Sequence, residues 1–278
     1  MEQSYDIRLV GLDLDGTVFD DQKRISAENQ AAICEACRRG VQVLPATGRP
    51  LNAVPEEFLR IPGVRYALTS NGARVVDLTT GASVVELLIE TPLALTALRE
   101  LSRFDGSIDL FWQGKAYAEP RNIELAAART VPELRSYIYS SRVAVDDLPA
   151  WLERQTQGPE KITMFFADPA ERERCRRAAE GLGLTVSSSL PANLEMNAPG
   201  VDKGQGLLAL AEVLGYTPAQ VMACGDSGND TAMLRAAGLG VAMANSTPDI
   251  LALADAVTGS NNESGVAQAI QKYVLNSR

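Results

Sequence analysis

Two aspartates, Asp13 and Asp15, are the residues whose type and spacing most directly suggest chemistry in this chain. They stand two positions apart in Asp13-Leu14-Asp15-Gly16-Thr17, directly after the apolar run Leu9-Val10-Gly11-Leu12. Because side chains alternate between the two faces of a strand, both carboxylates can point to the same side. Gly16 permits a sharp turn where a side chain would crowd a ligand. A carboxylate pair at the C-terminal end of an α/β strand suits a divalent cation and a phosphorylated ligand.

The 278-residue chain contains no histidine, and this excludes several kinds of chemistry. Ser-His-Asp and Cys-His catalysis, zinc or iron held by histidine, and an imidazole general base are all ruled out. Proton transfer must then fall to Asp, Glu, Lys, Tyr, Cys or water, with the carboxylates as leading candidates. Because carboxylates are hard oxygen ligands, Mg²⁺ is the leading metal.

The overall charge of the chain opposes two classes of partner. A net charge of −9 and a pI of about 4.8 disfavour binding to nucleic acid and to anionic membranes, which reward basic surfaces. No apolar run approaches the ~20 residues of a membrane span. The first six residues carry no basic region leading into an apolar stretch, so a secretory signal is not predicted. We therefore expect a cytoplasmic protein.

The four cysteines do not indicate a disulfide framework in a chain of this length. Cys34 and Cys37 form a C-x-x-C within a stretch that predicts a helix, with Ser26 as its N-cap and Gly40 just past its end. No second ligand pair stands nearby. Core packing is therefore favoured over a metal or redox role for these residues.

Alternating strand and helix patterns predict an α/β fold with a Rossmann-like, doubly wound parallel sheet. Strands are predicted over Ile7–Leu14, Val41–Ala46 and Tyr66–Ser70, and helices over Ser26–Arg39 and near Leu51–Leu59. The same rhythm resumes late in the chain. There it predicts helices over Lys203–Leu214 and Asn229–Ala237, and strands over Val221–Cys224, Gly240–Met243 and Ala256–Thr258.

The intervening segment predicts an inserted α+β domain. Hairpin signals flank Thr79-Thr80-Gly81 and Gln113-Gly114-Lys115, and a helix is indicated from Thr91 to about Phe104. A strand over Ile162–Ala167 precedes a helix that Asp168 would cap. With Ser187-Ser188-Ser189 as the return linker, the predicted domains are residues 1–86 with 190–278, and residues 87–189.

Four short motifs stand at the predicted ends of core strands. Each alone has an ordinary interpretation as a turn, a strand exit or a solvent-exposed helix start, but their common placement favours a functional role. They are Asp13-x-Asp15-Gly16-Thr17, Thr47-Gly48-Arg49, Lys203 in Val201-Asp202-Lys203-Gly204, and Gly225-Asp226-Ser227-Gly228-Asn229-Asp230.

This set resembles the haloacid dehalogenase superfamily of phosphohydrolases, and in particular its Cof-like sugar phosphatase branch. The resemblance spans the whole chain. Ser70-Asn71-Gly72 matches a further motif of that branch, and a cap domain inserted between the second and third motifs is the branch's arrangement.

The resemblance implies catalytic roles for four residues. Asp13, which needs no base because its carboxylate is ionised at neutral pH, would attack phosphorus and form an acyl phosphate. Asp15 would protonate the leaving oxygen and then take a proton from the hydrolytic water. Lys203 would neutralise Asp13 and the phosphoryl group, and Thr47 would bind phosphoryl oxygens.

The resemblance also implies a Mg²⁺ site and a set of binding residues. Mg²⁺ would be held by the Asp13 carboxylate, the backbone carbonyl of Asp15 and Asp226. Asp230 would orient Asp226 or Lys203. The residues expected to bind substrate are Thr47, Gly48, Arg49, Asn71, Lys203 and Asn229. For Arg49 and Asn71 a surface or turn role stays open, and for Trp112, Lys115 and Tyr117 structural packing is favoured over sugar stacking.

The function expected from the sequence is a Mg²⁺-dependent phosphatase of small phosphorylated metabolites, sugar phosphates above all, acting through an aspartyl phosphate. Two alternatives stay open. One is a phosphomutase of the same fold, which returns the phosphoryl group to its substrate, and the other is a non-catalytic metabolite-binding regulator. The sequence predicts neither the physiological substrate nor the oligomeric state.

Overall fold

The structure is a computed structural model that describes residues 5–276 and divides into two compact units. The first unit contains the residues up to Thr47, Val54–Val85, and the residues from Asp202 onward. The second contains Gly48–Ala53 and Glu86–Val201. The sequence-based boundary at residue 189 differs from this division because the strand Asn193–Asn197 pairs within the sheet of the second unit.

Strands and helices are numbered here in chain order. The strands are β1 Leu9–Leu12, β2 Gln42–Pro45, β3 Tyr66–Thr69, β4 Arg74–Asp77, β5 Ser83–Glu86, β6 Gly106–Trp112, β7 Lys115–Ala118, β8 Arg142–Ala144, β9 Lys161–Phe166, β10 Thr185–Ser187, β11 Asn193–Asn197, β12 Val221–Gly225, β13 Leu239–Ala242 and β14 Ala256–Val257. The α-helices are α1 Ala27–Arg38, α2 Glu56–Leu59, α3 Thr91–Leu101, α4 Pro120–Arg129, α5 Arg135–Ser141, α6 Leu148–Glu153, α7 Pro169–Gly181, α8 Lys203–Val213, α9 Thr231–Ala236, α10 Pro248–Leu253 and α11 Gly265–Ile270.

The first unit is built on a five-stranded parallel sheet in the order β14-β13-β12-β1-β2. β3 begins a separate antiparallel sheet with β4 and β5, and an isolated parallel bridge between Ala46 and Leu68 joins it to the end of β2. The resulting strand order is β3-β2-β1 followed by β12-β13-β14. This is the doubly wound Rossmann arrangement predicted from the sequence. β1 and β12 are neighbours where the winding reverses, and ligands of such sheets bind at that point.

The central strands are buried on both faces because helices cover the sheet. Every residue of β1, β12 and β13 is buried, which explains why these strands read as continuous apolar runs. α1 begins as predicted, since the Ser26 hydroxyl accepts a hydrogen bond from the Asn29 amide at 3.1 Å. Cys34 and Cys37 pack against the core and Cys224 lies within it, in agreement with the structural interpretation of the C-x-x-C.

The prediction of a single helix near Leu51–Leu59 is wrong in detail. The segment forms a short 3₁₀ turn over Leu51–Ala53 and then α2, with Pro55 between them as the N-cap. Proline lacks a backbone N–H and disfavours helical geometry in the residue before it, so one continuous helix cannot run through this position.

The second unit is a six-stranded, mostly antiparallel sheet in the order β10-β11-β9-β6-β7-β8, with helices packed against it. The predicted hairpin around Gln113-Gly114 is confirmed. Trp112 pairs with Lys115, and the two turn residues have φ of 47° and 73°, as a tight two-residue hairpin turn requires. Within residues 5–276, none of the helices has the length and apolar character needed to cross a bilayer.

A turn over Ser70, Asn71 and Gly72 packs tightly against the start of α8. All three residues have positive φ, of 53°, 57° and 95°. A Cβ on Gly72 would overlap the Asp202 carbonyl oxygen, and a Cβ on Gly206 would lie 2.5 Å from the Cα of Gly72. The sequence therefore needs glycine where this turn touches the helix that carries Lys203.

We expect Gly72→Ala to lower the free energy of unfolding by at least about 2 kcal/mol, because it adds a steric overlap to an unfavourable backbone conformation. Gly81→Ala is the matched control. Gly81 also has a positive φ, of 73°, but no atom lies within 4 Å of its added Cβ. That variant should lose only about 1 kcal/mol. Urea denaturation of both variants measures the difference, and equal losses would contradict the close approach at Gly72.

Candidate active site

The sequence motifs that follow β1 and β12 come together at the carboxyl ends of these neighbouring strands. The Asp13 amide donates to the Cys224 carbonyl at 3.0 Å, which continues the pairing of the strands into the loop region. Carboxylate oxygens of Asp13, Asp226 and Asp230 all lie within 4.8 Å of one another. The fold therefore places residues from two motifs, more than 200 positions apart, within reach of a single ligand.

Lys203 lies between two of these carboxylates. Its ammonium donates to Asp13 Oδ1 at 2.6 Å and to Asp230 Oδ1 at 2.7 Å, and its side chain is only 1% exposed. It is the first residue of α8, whose N-cap Asp202 accepts from the Gln205 amide at 2.9 Å. The cap fixes where the helix begins, and the helix start in turn fixes the direction of the lysine side chain.

Asp230 holds the loop after β12 in place. Its Oδ2 accepts hydrogen bonds from the amides of Asp226 at 3.0 Å and Ser227 at 3.1 Å, while its Oδ1 accepts from Lys203. A Cβ on Gly225 would lie 2.5 Å from the Asp230 Cβ, so glycine permits this close approach. Both carboxylate oxygens of Asp230 are thus already bonded within the protein, and this agrees with an orienting role.

Asp226 is oriented by groups from the first motif. Thr17 Oγ1 donates to Asp226 Oδ1 at 3.0 Å. Gly16 has a φ of 87°, and a Cβ there would lie 2.5 Å from Asp226 Oδ2. Asn245, which follows β13, donates from Nδ2 to the Gly16 carbonyl at 2.8 Å and so supports the turn from a third strand end.

The electrostatics of the cluster follow from burial and from an excess of negative charge. Burial, together with the charge of Asp230, raises the pKa of Asp13 well above its ordinary value, and Lys203 opposes that rise. Burial and Asp230 likewise raise the pKa of Asp226 to about 6. Burial disfavours the ammonium of Lys203, but the carboxylates of Asp13 and Asp230 outweigh it and raise the pKa of the lysine.

Asp15 lies beside the cluster and is more exposed. Its side chain is 41% exposed, and its Oδ1 accepts from Lys23 Nζ at 2.8 Å. Lys23 has a left-handed φ of 61° in a tight turn that Asp20 closes through its side chain and backbone. The solvent-exposed position of Asp15 suits a group that exchanges protons with a substrate and with water.

The second motif divides between the two units. Thr47 is buried in the first unit, where its amide donates to the Leu68 carbonyl and its carbonyl accepts from the Asn71 amide at 3.1 Å. These bonds bring Thr47 and Asn71 together. Arg49 belongs to the second unit, where its guanidinium carbon lies 5.6 Å from the centre of the Tyr137 ring and its Nη1 donates to the Ala53 carbonyl at 3.3 Å.

Three other residues considered in the sequence have identifiable surroundings. Asn229 is half-buried, and its Oδ1 accepts from Ser227 Oγ at 2.7 Å. The Tyr117 ring stacks on Trp151 with centres 4.2 Å apart, and Trp112 meets the same indole edge-on at 5.6 Å. The mutual packing of these rings supports a structural role for Trp112 and Tyr117 over sugar stacking.

Sequence reasoning missed Thr17, Lys23 and Asn245 as residues that touch this region. Asn245 follows a core strand, so its position alone could have identified it. Thr17 is part of the first motif, and its contact with Asp226 follows from the pairing of β1 with β12. Nothing in the sequence marks Lys23, because its contact depends on a left-handed turn at a non-glycine residue.

Comparisons with known proteins agree on one family. A sequence model described as haloacid dehalogenase-like hydrolase matches residues 10–270. The chain is 31% identical over 277 residues to the 5-amino-6-(5-phospho-D-ribitylamino)uracil phosphatase YcsE of Bacillus subtilis, with 98% of each chain covered. It is 32% identical over 284 residues to the putative phosphatase YxeH of the same organism, covering 96% of this chain and 98% of that protein.

Solved structures agree with the sequence comparisons. A haloacid dehalogenase-like hydrolase from B. subtilis matches with a TM-score of 0.83 and 28% identity, covering 95% of this chain and 99% of the other. The X-ray structure of TM0651 from Thermotoga maritima matches with a TM-score of 0.76 and 26% identity, covering 96% and 97% of the two chains.

We expect Lys203→Met to lower the free energy of unfolding by about 3–5 kcal/mol at pH 8, because it leaves two buried carboxylates without their cation. A carboxyl group whose pKa is higher in the folded than in the unfolded state binds protons more tightly when folded. The loss should therefore shrink as the pH falls from 8 towards 5. Urea denaturation across this range measures it, with exposed Lys115→Met as the control. A loss that grows on acidification would contradict the charge arrangement.

Proposed function

The chain belongs to the haloacid dehalogenase-like hydrolases, in their Cof-like branch, and is a phosphoric monoester hydrolase; we propose that it is a Mg²⁺-dependent phosphatase of small phosphorylated metabolites that acts through an aspartyl-phosphate intermediate. Sugar and polyol phosphates are the proposed substrates, and a cytoplasmic location stays a prediction. The observation that carries the proposal is the contact of Lys203 with Asp13 and Asp230 beside Asp226.

The charge balance of this cluster supports a divalent cation. Three carboxylates lie within 4.8 Å of one another, and the ammonium of Lys203 contacts two of them. When all three are ionised, two negative charges are left uncompensated in a largely buried place. A phosphate ester would add further negative charge and could not approach without a counterion. All the donors are oxygens, which favours Mg²⁺ over softer metals.

The proposed ligands from this chain are the carboxylates of Asp13 and Asp226 and the backbone carbonyl of Asp15. Asp230 is not included, because Lys203 and two backbone amides already engage its two oxygens. When bound, Mg²⁺ would neutralise the carboxylates and the transferring phosphoryl group.

In the proposed first half-reaction, a carboxylate oxygen of Asp13 attacks phosphorus and the bond to the ester oxygen breaks. The ammonium of Lys203 donates a hydrogen bond to Asp13 and favours its ionised form against the effect of burial. Asp15 gives its proton to the departing oxygen, so the alcohol leaves neutral. The product is an acyl phosphate on Asp13.

In the proposed second half-reaction, Asp15 takes a proton from a water molecule that attacks the same phosphorus. The bond between phosphorus and the Asp13 oxygen breaks, which releases inorganic phosphate and restores the carboxylate. Asp15 thereby returns to its protonated form for the next turnover. Its 41% exposure is consistent with access to water.

The remaining residues are proposed to hold the phosphoryl group and the substrate. Thr47 and the backbone amides next to it, in the Gly48 region, would donate to phosphoryl oxygens, as Lys203 would. Asn229 would contact phosphate or a water near the metal. Arg49 and Asn71 are proposed to bind substrate. For Asn71 this is supported by the hydrogen bond that ties it to Thr47.

The proposal of a sugar or polyol phosphate rests on the sequence resemblance and on the names of relatives. YcsE is named for a phosphorylated ribityl compound, in which the phosphate is esterified to a polyol chain. A screen of sugar, polyol and nucleoside phosphomonoesters, ranked by kcat/KM, tests the substrate class. A strong preference for non-carbohydrate esters would contradict it.

We expect Asp13→Asn to lower kcat by at least about 10³-fold, because the amide cannot act as the nucleophile. Asp15→Asn should lower it by about 10²–10⁴-fold through loss of proton transfer. The measurement is release of inorganic phosphate, with exposed Asp249→Asn as the control. Mass spectrometry of the quenched wild-type enzyme should find phosphate on Asp13.

Three results would contradict this proposal or change it. Full activity of Asp13→Asn would rule out the aspartyl-phosphate route. Formation of an isomeric phosphomonoester without free phosphate, seen by ³¹P NMR, would indicate a phosphomutase. Metabolite binding without any turnover would indicate a regulator.

We also expect activity to require Mg²⁺ and the apparent Mg²⁺ affinity to fall as the pH is lowered through about 6. The raised pKa of Asp226, about 6, means that protons compete with the cation at this carboxylate from that pH downwards. Activity titrated with Mg²⁺ at pH 5–8 measures the effect, after removal of bound metal with EDTA. Asp226→Asn should need at least about tenfold more Mg²⁺. A Mg²⁺ requirement unchanged by either treatment would exclude Asp226 as a ligand.

A further inference from the structure

A second group of buried charges lies within the second unit, on one face of its six-stranded sheet. The register places Asp109 opposite Thr163 and Thr163 opposite Glu195, while Lys161 stands opposite Phe111. All four polar residues of this row are at most 5% exposed. Alternating polar residues on these strands therefore do not face water, as their pattern alone would suggest.

Lys161 makes three contacts from this buried position. Its ammonium donates to the Gly48 carbonyl at 2.6 Å, lies 3.2 Å from Glu195 Oε2, and stands 4.6 Å from the centre of the Phe111 ring. Gly48 begins the short segment Gly48–Ala53, which belongs to this unit. The segment is held further along by the Asn52 amide, which donates to the Gly114 carbonyl at 3.1 Å.

The buried lysine is costly for a purely structural residue. Burial lowers the pKa of Lys161, and Glu195 only partly offsets that effect. Apolar residues of similar volume often replace buried ion pairs without loss of stability. The contact that an apolar residue could not reproduce is the hydrogen bond to the Gly48 carbonyl.

That carbonyl shares a peptide plane with the Arg49 amide. Because the Gly48–Arg49 peptide is trans and planar, its C=O and N–H point in opposite directions and turn together. An ammonium fixed on the oxygen therefore fixes the direction of the Arg49 N–H. It also polarises the peptide and makes this N–H a stronger donor.

We propose that Lys161 is a positioning residue that acts through the Gly48 carbonyl to orient the backbone amide of Arg49 for a phosphoryl oxygen. This inference rests on the proposed function, in which amides next to Thr47 bind the phosphoryl group. Lys161 itself does not touch the substrate. Glu195 keeps the ammonium charged and directed at Gly48.

The test compares the wild-type enzyme with Lys161→Met/Glu195→Gln, which removes the ammonium without leaving a buried carboxylate charge. The probes are p-nitrophenyl phosphate as substrate and inorganic phosphate as competitive inhibitor. We expect KM and the phosphate Ki to rise about tenfold, which matches the loss of one charge-assisted hydrogen bond. Since the amide binds phosphate in both ground and transition states, kcat should change at most about threefold.

Arg172→Met is the matched control. Arg172 is also a cation of the second unit that donates to a backbone carbonyl, that of Asn193, at 2.9 Å. Its removal should leave KM and Ki within about twofold of the wild type. Thr163→Val serves as a second control, because it is isosteric and lies on the same face of the strand as Lys161.

A folded double variant with KM and Ki unchanged would overturn the inference, and so would an equal rise in Arg172→Met. If the double variant does not fold, Lys161→Arg and Glu195→Gln decide the matter. Lys161→Arg keeps a permanent cation for Gly48 and should hold Ki within about threefold, whereas Glu195→Gln removes the carboxylate that supports the ammonium and should raise Ki. A tenfold rise in Lys161→Arg, or no rise in Glu195→Gln, overturns the inference. Wild-type enzyme that binds phosphate but hydrolyses no phosphomonoester would instead contradict the proposed function.

Discussion

One buried ammonium, that of Lys203, holds two buried aspartates together, and the geometry of the first unit depends on this contact. Asp13 comes from the end of β1, Asp230 from the turn after β12, and Lys203 from the start of α8. Without the cation, the two carboxylates would repel each other at short range in a place with little water. The contact therefore joins three separate chain segments only while the charge is present, which couples folding directly to the chemistry of the site.

The sheet topology explains why these segments meet. In a doubly wound sheet the strand order reverses once, and the crevice at that reversal is left uncovered by crossover connections. β1 and β12 are the strands on either side of it here. The glycines at 16 and 225 permit the loops that follow to approach each other, since a side chain at either position would collide with an aspartate. The sheet topology determines where the aspartates meet, and the two glycines allow the loops that carry them to come into contact.

The sequence predicted the parallel core and the meeting of its motifs well, because those features depend on local signals. Apolar runs followed by acidic residues place Asp13 and Asp226 at strand ends, and parallel strands bring strand ends together. Contacts that depend on tertiary structure were not predictable. The donation from Asn245 to Gly16, the left-handed turn at Lys23 and the membership of Gly48–Ala53 in the second unit are examples. The buried row of Asp109, Thr163 and Glu195 also escaped prediction, since alternating polarity normally indicates a solvated face.

The two buried lysines show how surroundings decide the state of the same side chain. Lys203 has two carboxylates within 2.7 Å, and their charge outweighs burial and raises its pKa. Lys161 has one carboxylate at 3.2 Å, a carbonyl and an aromatic ring, and there burial prevails and lowers its pKa. The first lysine is thus held as a fixed positive charge among acids. The charge of the second lysine is opposed by burial and supported by Glu195, so the hydrogen bond from Lys161 to Gly48 is more sensitive to a change in its partners than the bonds made by Lys203.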